Sequence, residues 1–430
     1  MNRFPALCLP LWLCCCAAMP GQQVPGATEL PSHPFFIEKT WPIGGEGSWD
    51  YLTLDAQASQ LFIAHGAKVQ VVDIGSGALA GEFGGFSQVH SIALDGTGQY
   101  GYVSDGPTGQ VTVFDRRSFQ RVADIRTDIN PRALAFEPQT RLLFVVRTDP
   151  PSENPGAPRV RPNTQAGAQR NQSPARREFP IEANGASSVT VIDTETQTAI
   201  GEIFLPGKLG FAQADGNGQV YISITDRNQV LRLDAQAIGL LLKRDPVSPS
   251  QTGHADAQRV SAGFTQFNWS GSGRASRAPD GVMHTFSLSP ACTDPRSLAV
   301  DWPHTRLFVG CNNMKLVVLN AGTGEVVTTL PTGPGTDAIG VDANHGLIYS
   351  ANGGADGSLT VIRQDVADSY AVIQVLPTRQ RARTMAVNPV SGEVYLVTDM
   401  VGVNLAQPGG IGTLKTEPVN GSFQVLVIGN

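Results

Sequence analysis

RSLAVDWPHTRLFVGCNNMKLVVLNAGTGEVVTTL, the stretch from Arg296 to Leu330, decides the fold. It contains four short apolar or β-branched runs, SLAV, LFVGC, LVVL and VVTTL, and turn residues separate them. Short runs bounded by Gly, Asn, Asp and Pro predict consecutive antiparallel strands. A single four-stranded meander cannot bury both of its faces, so this stretch predicts neighbours of the same kind.

The same unit recurs along the chain. First strands that end in an acid or amide are LTLD, IALD, LAFE, LAVD, IGVD and MAVN, ending at Asp55, Asp95, Glu137, Asp301, Asp342 and Asn388, with a weaker copy, FAQAD, ending at Asp215. Second strands recur as LFIAH, YGYVSD, LLFVVR, VYISIT, LFVGCN, LIYSAN and VYLVTD. A period of about 40–45 residues with four strands per unit is typical of β-propellers. The sequence therefore predicts an all-β, seven-bladed propeller with four antiparallel strands per blade.

The two ends of the chain predict how the ring closes. The last unit has three strands before the chain ends, and the segment FFIEKTWPI, Phe35–Ile43, precedes the first inner strand. Pairing this N-terminal segment into the last blade would leave no open sheet edge. We therefore expect one propeller over residues 35–430.

Two polar insertions interrupt the repeats. Residues 149–185, between the second and third strands of blade three, carry Arg159, Arg161, Arg170, Arg176 and Arg177. Residues 245–282, in blade four, include Phe264, Phe267 and Trp269. Propeller connectivity places the arginine-bearing insertion and the 400–421 loop of blade seven on the face where the inner strands begin. The aromatic insertion is expected on the opposite face.

The N-terminus predicts export. Arg3 precedes a short apolar run from Phe4 to Cys16, so residues 1–18 are typical of a secretory signal peptide, with cleavage as late as residue 21. We expect a periplasmic or extracellular protein, and anchoring as a lipoprotein through Cys14, Cys15 or Cys16 stays open. No segment predicts a transmembrane helix. A formal net charge of −6 gives no electrostatic basis for nucleic-acid binding.

Two cysteines remain after the signal, Cys292 and Cys311, on either side of the first hairpin of blade five. In an oxidising compartment they are candidates for a disulfide. The alternative is two separate small core residues.

Candidate ligand-binding residues lie at the starts of the inner strands, which converge on the channel entrance. They are Asp50, His90, Arg132, Arg296, Asp337 and Arg383, with Tyr51 and, more weakly, Gln213 beside them and His65 at the end of a second strand. Three arginines favour an anionic ligand, because guanidinium groups bind carboxylate or phosphate in a bidentate manner. The alternative is that the arginines pair with Asp50 and Asp337 and neutralise the channel. Two histidines alone are a weak metal signal, so no metal site is expected.

The sequence contains no CxxCH, HExxH, phosphate loop or nucleophile elbow, so neither a cofactor nor catalytic residues are predicted. The pieces YVSDGPTGQVTVFD, LFVGCNNMKLVVLNAGTGEVVTTLPTG and LIYSANGGADGSLTVI resemble the YVTN-repeat β-propellers, the YncE-like exported proteins of bacteria. Outside the two insertions, the resemblance covers Phe35–Asn430. It implies a seven-bladed binding or scaffold protein of the envelope and carries over no catalytic residue.

The first interpretation is therefore an exported, non-catalytic propeller, expected to be a monomer, that binds an anionic small molecule or an envelope protein at the channel face. One alternative is a lactonase- or lyase-type enzyme with His65 or His90 as general base. This alternative rests on fold analogy alone. Another is a redox accessory protein that docks a quinoprotein or cytochrome.

Overall fold

The repeated apolar runs form seven four-stranded antiparallel sheets in a computed structural model, which describes residues 33–127, 130–148, 186–243, 265–268, 281–366, 368–403 and 416–430. Blade one comprises Trp49–Asp55, Gln60–His65, Lys68–Asp73 and Leu79–Gly84. Blade two comprises Val89–Leu94, Tyr100–Asp105, Gln110–Asp115 and Arg121–Arg126. Blade three comprises Pro131–Glu137, Leu142–Arg147, Ala186–Asp193 and Thr198–Pro206. Blade four comprises Leu209–Ala214, Gln219–Ile224, Gln229–Asp234 and Met283–Ser287. Blade five comprises Pro295–Asp301, Arg306–Cys311, Lys315–Asn320 and Val326–Pro331. Blade six comprises Thr336–Asp342, Leu347–Asn352, Ser358–Val366 and Ser369–Pro377. The seven-bladed fold predicted from the repeats is confirmed.

The chain closes by pairing its two ends. Blade seven contains Thr384–Val387, Val394–Thr398 and Gln424–Gly429, and its outer strand is Phe36–Pro42 from the N-terminus. That strand is antiparallel to the C-terminal one, with Phe36 opposite Gly429 and Pro42 opposite Gln424. The predicted closure is confirmed, and it supplies the fourth, outer strand of blade seven.

The core consists of seven apolar clusters, one at each junction between neighbouring blades. The second strand of every blade carries one fully buried aromatic residue at the same place in the repeat: Phe62, Tyr102, Phe144, Tyr221, Phe308, Tyr349 and Tyr395. Because each blade packs a face against each neighbour, these middle strands are buried on both sides. This explains why they are continuous apolar runs rather than alternating ones.

Blades three and four depart from the repeat. A helix, Ala235–Lys243, follows the third strand of blade four, and its Ile238 and Leu242 are buried at the junction of blades three and four. A short strand, Thr265–Asn268, pairs in parallel with the outer strand of blade three and makes that sheet five-stranded. Residues 265–268, within the predicted insertion at 245–282, therefore add a strand to blade three.

Smaller elements complete the described chain: a 3₁₀ turn at Thr225–Arg227, and a hairpin of Val401–Val403 and Thr416–Pro418. None of the helices in the described ranges has the length and apolar composition needed to span a bilayer. The predicted signal peptide with Cys14, Cys15 and Cys16, and the arginine-bearing insertion at 149–185, lie outside the described residues. They stay predictions.

Candidate functional site

Six inner strands share an irregularity at their starts. In blades one to six the register with the second strand shifts there, and the skipped residues are Asp50 and Tyr51, His90 and Ser91, Arg132, Gly210 and Phe211, Arg296, and Asp337. In blade seven Arg383 lies directly before the inner strand. Such bulges re-aim a side chain out of the regular alternation of a strand. The candidate binding residues are therefore presented by one repeated backbone feature.

Buried serines hold these bulges in place. The Ser104 Oγ accepts the backbone N–H of Ser91 at 3.0 Å and donates to the Arg132 carbonyl at 3.1 Å. In blade four the Ser223 Oγ accepts the N–H of Phe211 at 3.0 Å. A bulge removes backbone groups from the sheet ladder, and a buried unpaired amide is costly. These serines supply the missing partners, and Ser104 also connects blade two to the bulge of blade three.

We call Asp50, His90, Arg132, Arg296, Asp337 and Arg383 the mouth ring. Asp50 connects three blades, because its Oδ2 accepts from His90 Nδ1 at 2.8 Å and lies 3.6 Å from an Arg132 guanidinium nitrogen. Arg383 Nε lies 3.5 Å from Asp337 Oδ2, and Arg296 pairs with Asp294 at 2.5 Å. Each acid of the ring thus lies near an arginine, which is the arrangement expected if the arginines neutralise the channel. The two pairs that connect different blades, Asp50 with Arg132 and Asp337 with Arg383, have long distances of 3.6 and 3.5 Å.

Tyr51 crosses the channel below the mouth ring. Its aromatic ring meets that of Phe211, from blade four on the other side of the propeller, at a centroid distance of 5.0 Å. Burial raises the pKa of Tyr51 far above its ordinary value, and the Asp50 and Asp337 carboxylates raise it further. Two arginines of the mouth ring oppose this shift. Tyr51 therefore stays protonated and forms an aromatic pair with Phe211 between blades one and four.

Asp337 is the perturbed acid of the mouth ring. Burial raises the pKa of its carboxyl above the ordinary value, and the Asp50 carboxylate adds to that effect. The guanidinium groups of Arg383, Arg296 and Arg132 all act in the opposite direction. All three arginines thus act electrostatically on the Asp337 carboxylate.

His65 is not part of the mouth ring. It lies at the junction of blades seven and one, where its ring is 4.0 Å from that of Phe423 and its Nδ1 is 2.6 Å from Gln70 Oε1. Burial lowers the pKa of His65 below its ordinary value. His90 is also buried, and its Nε2 faces Gly106. No group of three or more His, Cys, Asp or Glu side chains suited to a metal ion occurs in the described part of the chain.

Gln213 was the weakest of the predicted positions, and it lies two residues beyond the bulge of blade four, in the regular part of the strand opposite Tyr221. The bulge falls on Gly210 and Phe211 instead. A side chain at position 210 would have its Cβ 2.6 Å from Ser223 Oγ, so blade four leaves a gap in the mouth ring. Phe211, which the repeat pattern did not single out, fills the space below it.

Cys292 and Cys311 form a disulfide, with Cα atoms 5.5 Å apart. Cys311 ends the second strand of blade five, where blade two has Asp105. Asp105 accepts the backbone N–H groups of Ser87 and Gln88 and so holds the loop that enters its own blade. The disulfide holds the corresponding loop of blade five covalently. That loop contains Asp294, the partner of Arg296.

The acids that end the inner strands are structural. Asp55, Asp95, Asp215 and Asp342 each accept backbone N–H groups of the turn that follows, on the face opposite the mouth ring. Arg116 connects the first two of these turns through ion pairs with Asp55 and Asp95. These residues cap turns and are not part of the candidate site.

Comparisons with known proteins support the fold. No protein-family model matches the sequence, and no curated protein sequence matches it. Among solved structures, one described as U3-55K is 9% identical with a TM-score of 0.59, over 90% of this chain and 97% of its own. The RRP9 WD40 repeats are 10% identical with a TM-score of 0.58, over 91% of this chain and 97% of their own. A chain of a mitotic checkpoint complex is 13% identical with a TM-score of 0.57, over 89% of this chain and 96% of its own. Such low identity shows the propeller fold alone, and the YVTN-repeat resemblance stays a prediction.

Proposed function

We propose that this protein is an exported, non-catalytic binding protein of the YVTN-repeat type that holds a small anionic ligand at the mouth ring. The observation that carries the proposal is the presentation of three guanidinium groups by the equivalent position of three blades. The side chains of Arg132, Arg296 and Arg383 are 46%, 44% and 46% exposed. Their neighbours Asp50 and Asp337 are less exposed, at 20% and 35%.

The ion pairs leave most of the donors of these arginines unused. Arg132 and Arg383 each approach a carboxylate through one nitrogen at 3.5 Å or more, whereas a guanidinium group has five N–H donors. A ligand carboxylate or phosphate would replace a long one-point contact with a bidentate one. The carboxylates of Asp50, Asp337 and Asp294 pair with the three arginines and balance their charge.

The buried histidines favour binding over catalysis. A general base must come within hydrogen-bond reach of the proton that it removes. His65 and His90 are 1% and 4% exposed, and each already contacts a side chain through Nδ1. The rings of both histidines are buried, that of His90 within the mouth ring itself, and this weakens the support that they lent to a lactonase- or lyase-type enzyme.

Export is supported by two features. The N-terminal residues have the composition of a secretory signal, and the chain carries a disulfide, which is typical of proteins in oxidising compartments. The same features favour a periplasmic or extracellular location.

Titration calorimetry with phosphate, succinate and citrate tests the binding proposal. We expect at least one of these anions to bind the wild type, and Arg132→Gln, Arg296→Gln and Arg383→Gln to weaken it by about 10- to 100-fold each, the range for a hydrogen bond to a charged group. A matched control replaces Arg117, Arg121 and Arg141, which lie away from the mouth, with Gln and carries the same change in net charge. Equal affinity in the two triple variants, or no binding by any of the three anions, would contradict the proposal.

A further inference from the structure

The two sides of the mouth ring differ in charge. Arg132 belongs to blade three and Arg296 to blade five, and blade four between them has Gly210 at its bulge and leaves a gap. The two carboxylates of the ring come from the other side, from blades six and one. Arg296 has one acidic partner, Asp294, from the loop that enters its own blade. An anion at blade four therefore meets two guanidinium groups and neither carboxylate of the ring.

An aromatic pair lies beside this gap. Phe211 directly follows Gly210 in the bulge of blade four, and Tyr51 directly follows Asp50 in the bulge of blade one. The two rings meet across the channel with their centroids 5.0 Å apart and an interplanar angle of 64°, which is an edge arrangement. Both residues are only partly buried. Aromatic surface therefore extends across the channel from the gap in blade four.

The aromatic pair lies close to the charges of the mouth ring. Burial raises the pKa of the Tyr51 phenol, and the carboxylates of Asp50 and Asp337 raise it further. The guanidinium groups of Arg132 and Arg383 lower it. Four members of the ring, from four different blades, thus act electrostatically on this one phenol. Because the Tyr51 hydroxyl stays protonated, it can donate a hydrogen bond to an anion held by these arginines.

Arginines beside aromatic rings discriminate among anions. Phosphate or a small aliphatic carboxylate can bind the guanidinium groups, but it has no apolar surface to place against Tyr51 and Phe211. An aromatic ring attached to the carboxylate has such a surface, and aromatic rings prefer edge or offset contacts with one another. A guanidinium group also stacks on an aromatic face. The parts of the mouth that a small anion leaves without a contact therefore favour an aromatic one.

We propose that the ligand of the mouth ring is an aromatic carboxylate. Its carboxylate binds Arg132 and Arg296 on the two sides of the gap, and its ring packs against the aromatic pair of Tyr51 and Phe211. Among the seven equivalent positions of the blades, Gly210 is the one without a side chain, which leaves room for the ligand between the two arginines. This inference rests on the function proposed above, because it specifies the class of anion.

Calorimetry of the whole protein with a matched series of ligands tests this inference. Benzoate should bind about two- to tenfold more tightly than cyclohexanecarboxylate, which has the same carbon skeleton and charge but no aromatic ring. Benzoate should also bind at least about tenfold more tightly than acetate, because its ring is withdrawn from water. Benzyl alcohol keeps the ring but lacks the charge, and it should bind about 10- to 100-fold more weakly than benzoate.

A pair of variants assigns the preference to the aromatic pair. Phe211→Leu keeps an apolar side chain and should reduce the advantage of benzoate over cyclohexanecarboxylate to less than about twofold, because the aromatic contact is lost. Phe36→Leu is the matched control, since it makes the same change at a half-exposed position on the outer strand of blade seven. It should keep the full preference. Thermal unfolding shows whether both variants are folded.

The outcomes separate this inference from the function on which it rests. If phosphate, succinate or citrate binds but benzoate has no advantage over cyclohexanecarboxylate, the aromatic ligand is refuted and anion binding stands. Equal affinity for benzyl alcohol and benzoate, or a preference that the Phe211→Leu variant retains in full, would also overturn the inference. If neither these anions nor any of the carboxylates binds, both proposals fail.

Discussion

Removing the Cys292–Cys311 disulfide should destabilise the protein by about 3 kcal/mol. The bridge closes a loop with a sequence separation of 19 residues. In the chain-entropy model a closed loop of about this length restricts the unfolded chain by about 3 kcal/mol at 25 °C. Both cysteines are buried, so the double Cys→Ala variant also loses some packing. The variant should therefore lose at least as much free energy of unfolding as loop closure contributes, about 3 kcal/mol.

Two measurements separate the cross-link from the packing. Urea unfolding compares the oxidised wild type, the reduced wild type and the Cys292→Ala/Cys311→Ala variant. Reduction keeps both side chains, so its effect reports the cross-link alone. Hydrogen exchange should locate the change in the loop that enters blade five, where the Asn312 N–H donates to the Thr293 carbonyl. A free energy of about 3 kcal/mol corresponds to roughly 100-fold faster exchange through local opening.

The same perturbation should reach the mouth ring. The disulfide holds the loop that contains Asp294, and Asp294 pairs with Arg296. Reduction should therefore weaken anion binding as well as stability. Identical unfolding midpoints and exchange rates for the oxidised and reduced protein would refute the view that this bridge replaces the polar contacts made by Asp105 in blade two.

Three further predictions concern closure, pH and packing. Trp41→Ala should cost about 3–5 kcal/mol in urea unfolding, because Trp41 is buried and stacks on Tyr395 at the closing strand, while Phe36→Ala on the same strand, at a half-exposed position, should change stability little. His65 has a lowered pKa in the folded state, so the unfolded chain binds more protons below about pH 6.5, and stability should fall as the pH drops below that value. His65→Gln should flatten this pH dependence of the unfolding midpoint, and an unchanged slope would contradict it. Gly101→Ala should destabilise by about 1–3 kcal/mol, because its Cβ would lie 2.2 Å from the Phe114 ring.

The blades and their closure could be predicted because each rests on local sequence patterns. The second strand of each blade is a short apolar run with a buried aromatic residue, and turn residues separate the strands. The unpaired segment at Phe36–Pro42 matched the strand missing from the last blade. What the sequence did not predict was non-local: the parallel pairing of Thr265–Asn268 with blade three joins segments that are separated by the first three strands of blade four. The helix at Ala235–Lys243 did have a signal, since Asp234 Oδ1 accepts the Ala237 N–H in the manner of a helix start.

The mouth ring could have been identified more sharply. Its members each lie five residues before the acid or amide that ends the inner strand, from Asp50 before Asp55 to Arg383 before Asn388. Counting the same distance back from Asp215 reaches Gly210, not Gln213, and marks the gap in blade four. His65 could not be excluded this way, because its position at the junction of two blades depends on packing against Phe423.

The most direct test of the binding account is native purification of the protein, followed by denaturation and mass spectrometry of the released small molecules. The account predicts an anionic metabolite that accompanies the wild type and is lost from the Arg132→Gln/Arg296→Gln/Arg383→Gln variant. The variant with Gln at positions 117, 121 and 141 should retain it. A metabolite retained equally by all three proteins, or an uncharged one in its place, would contradict the account.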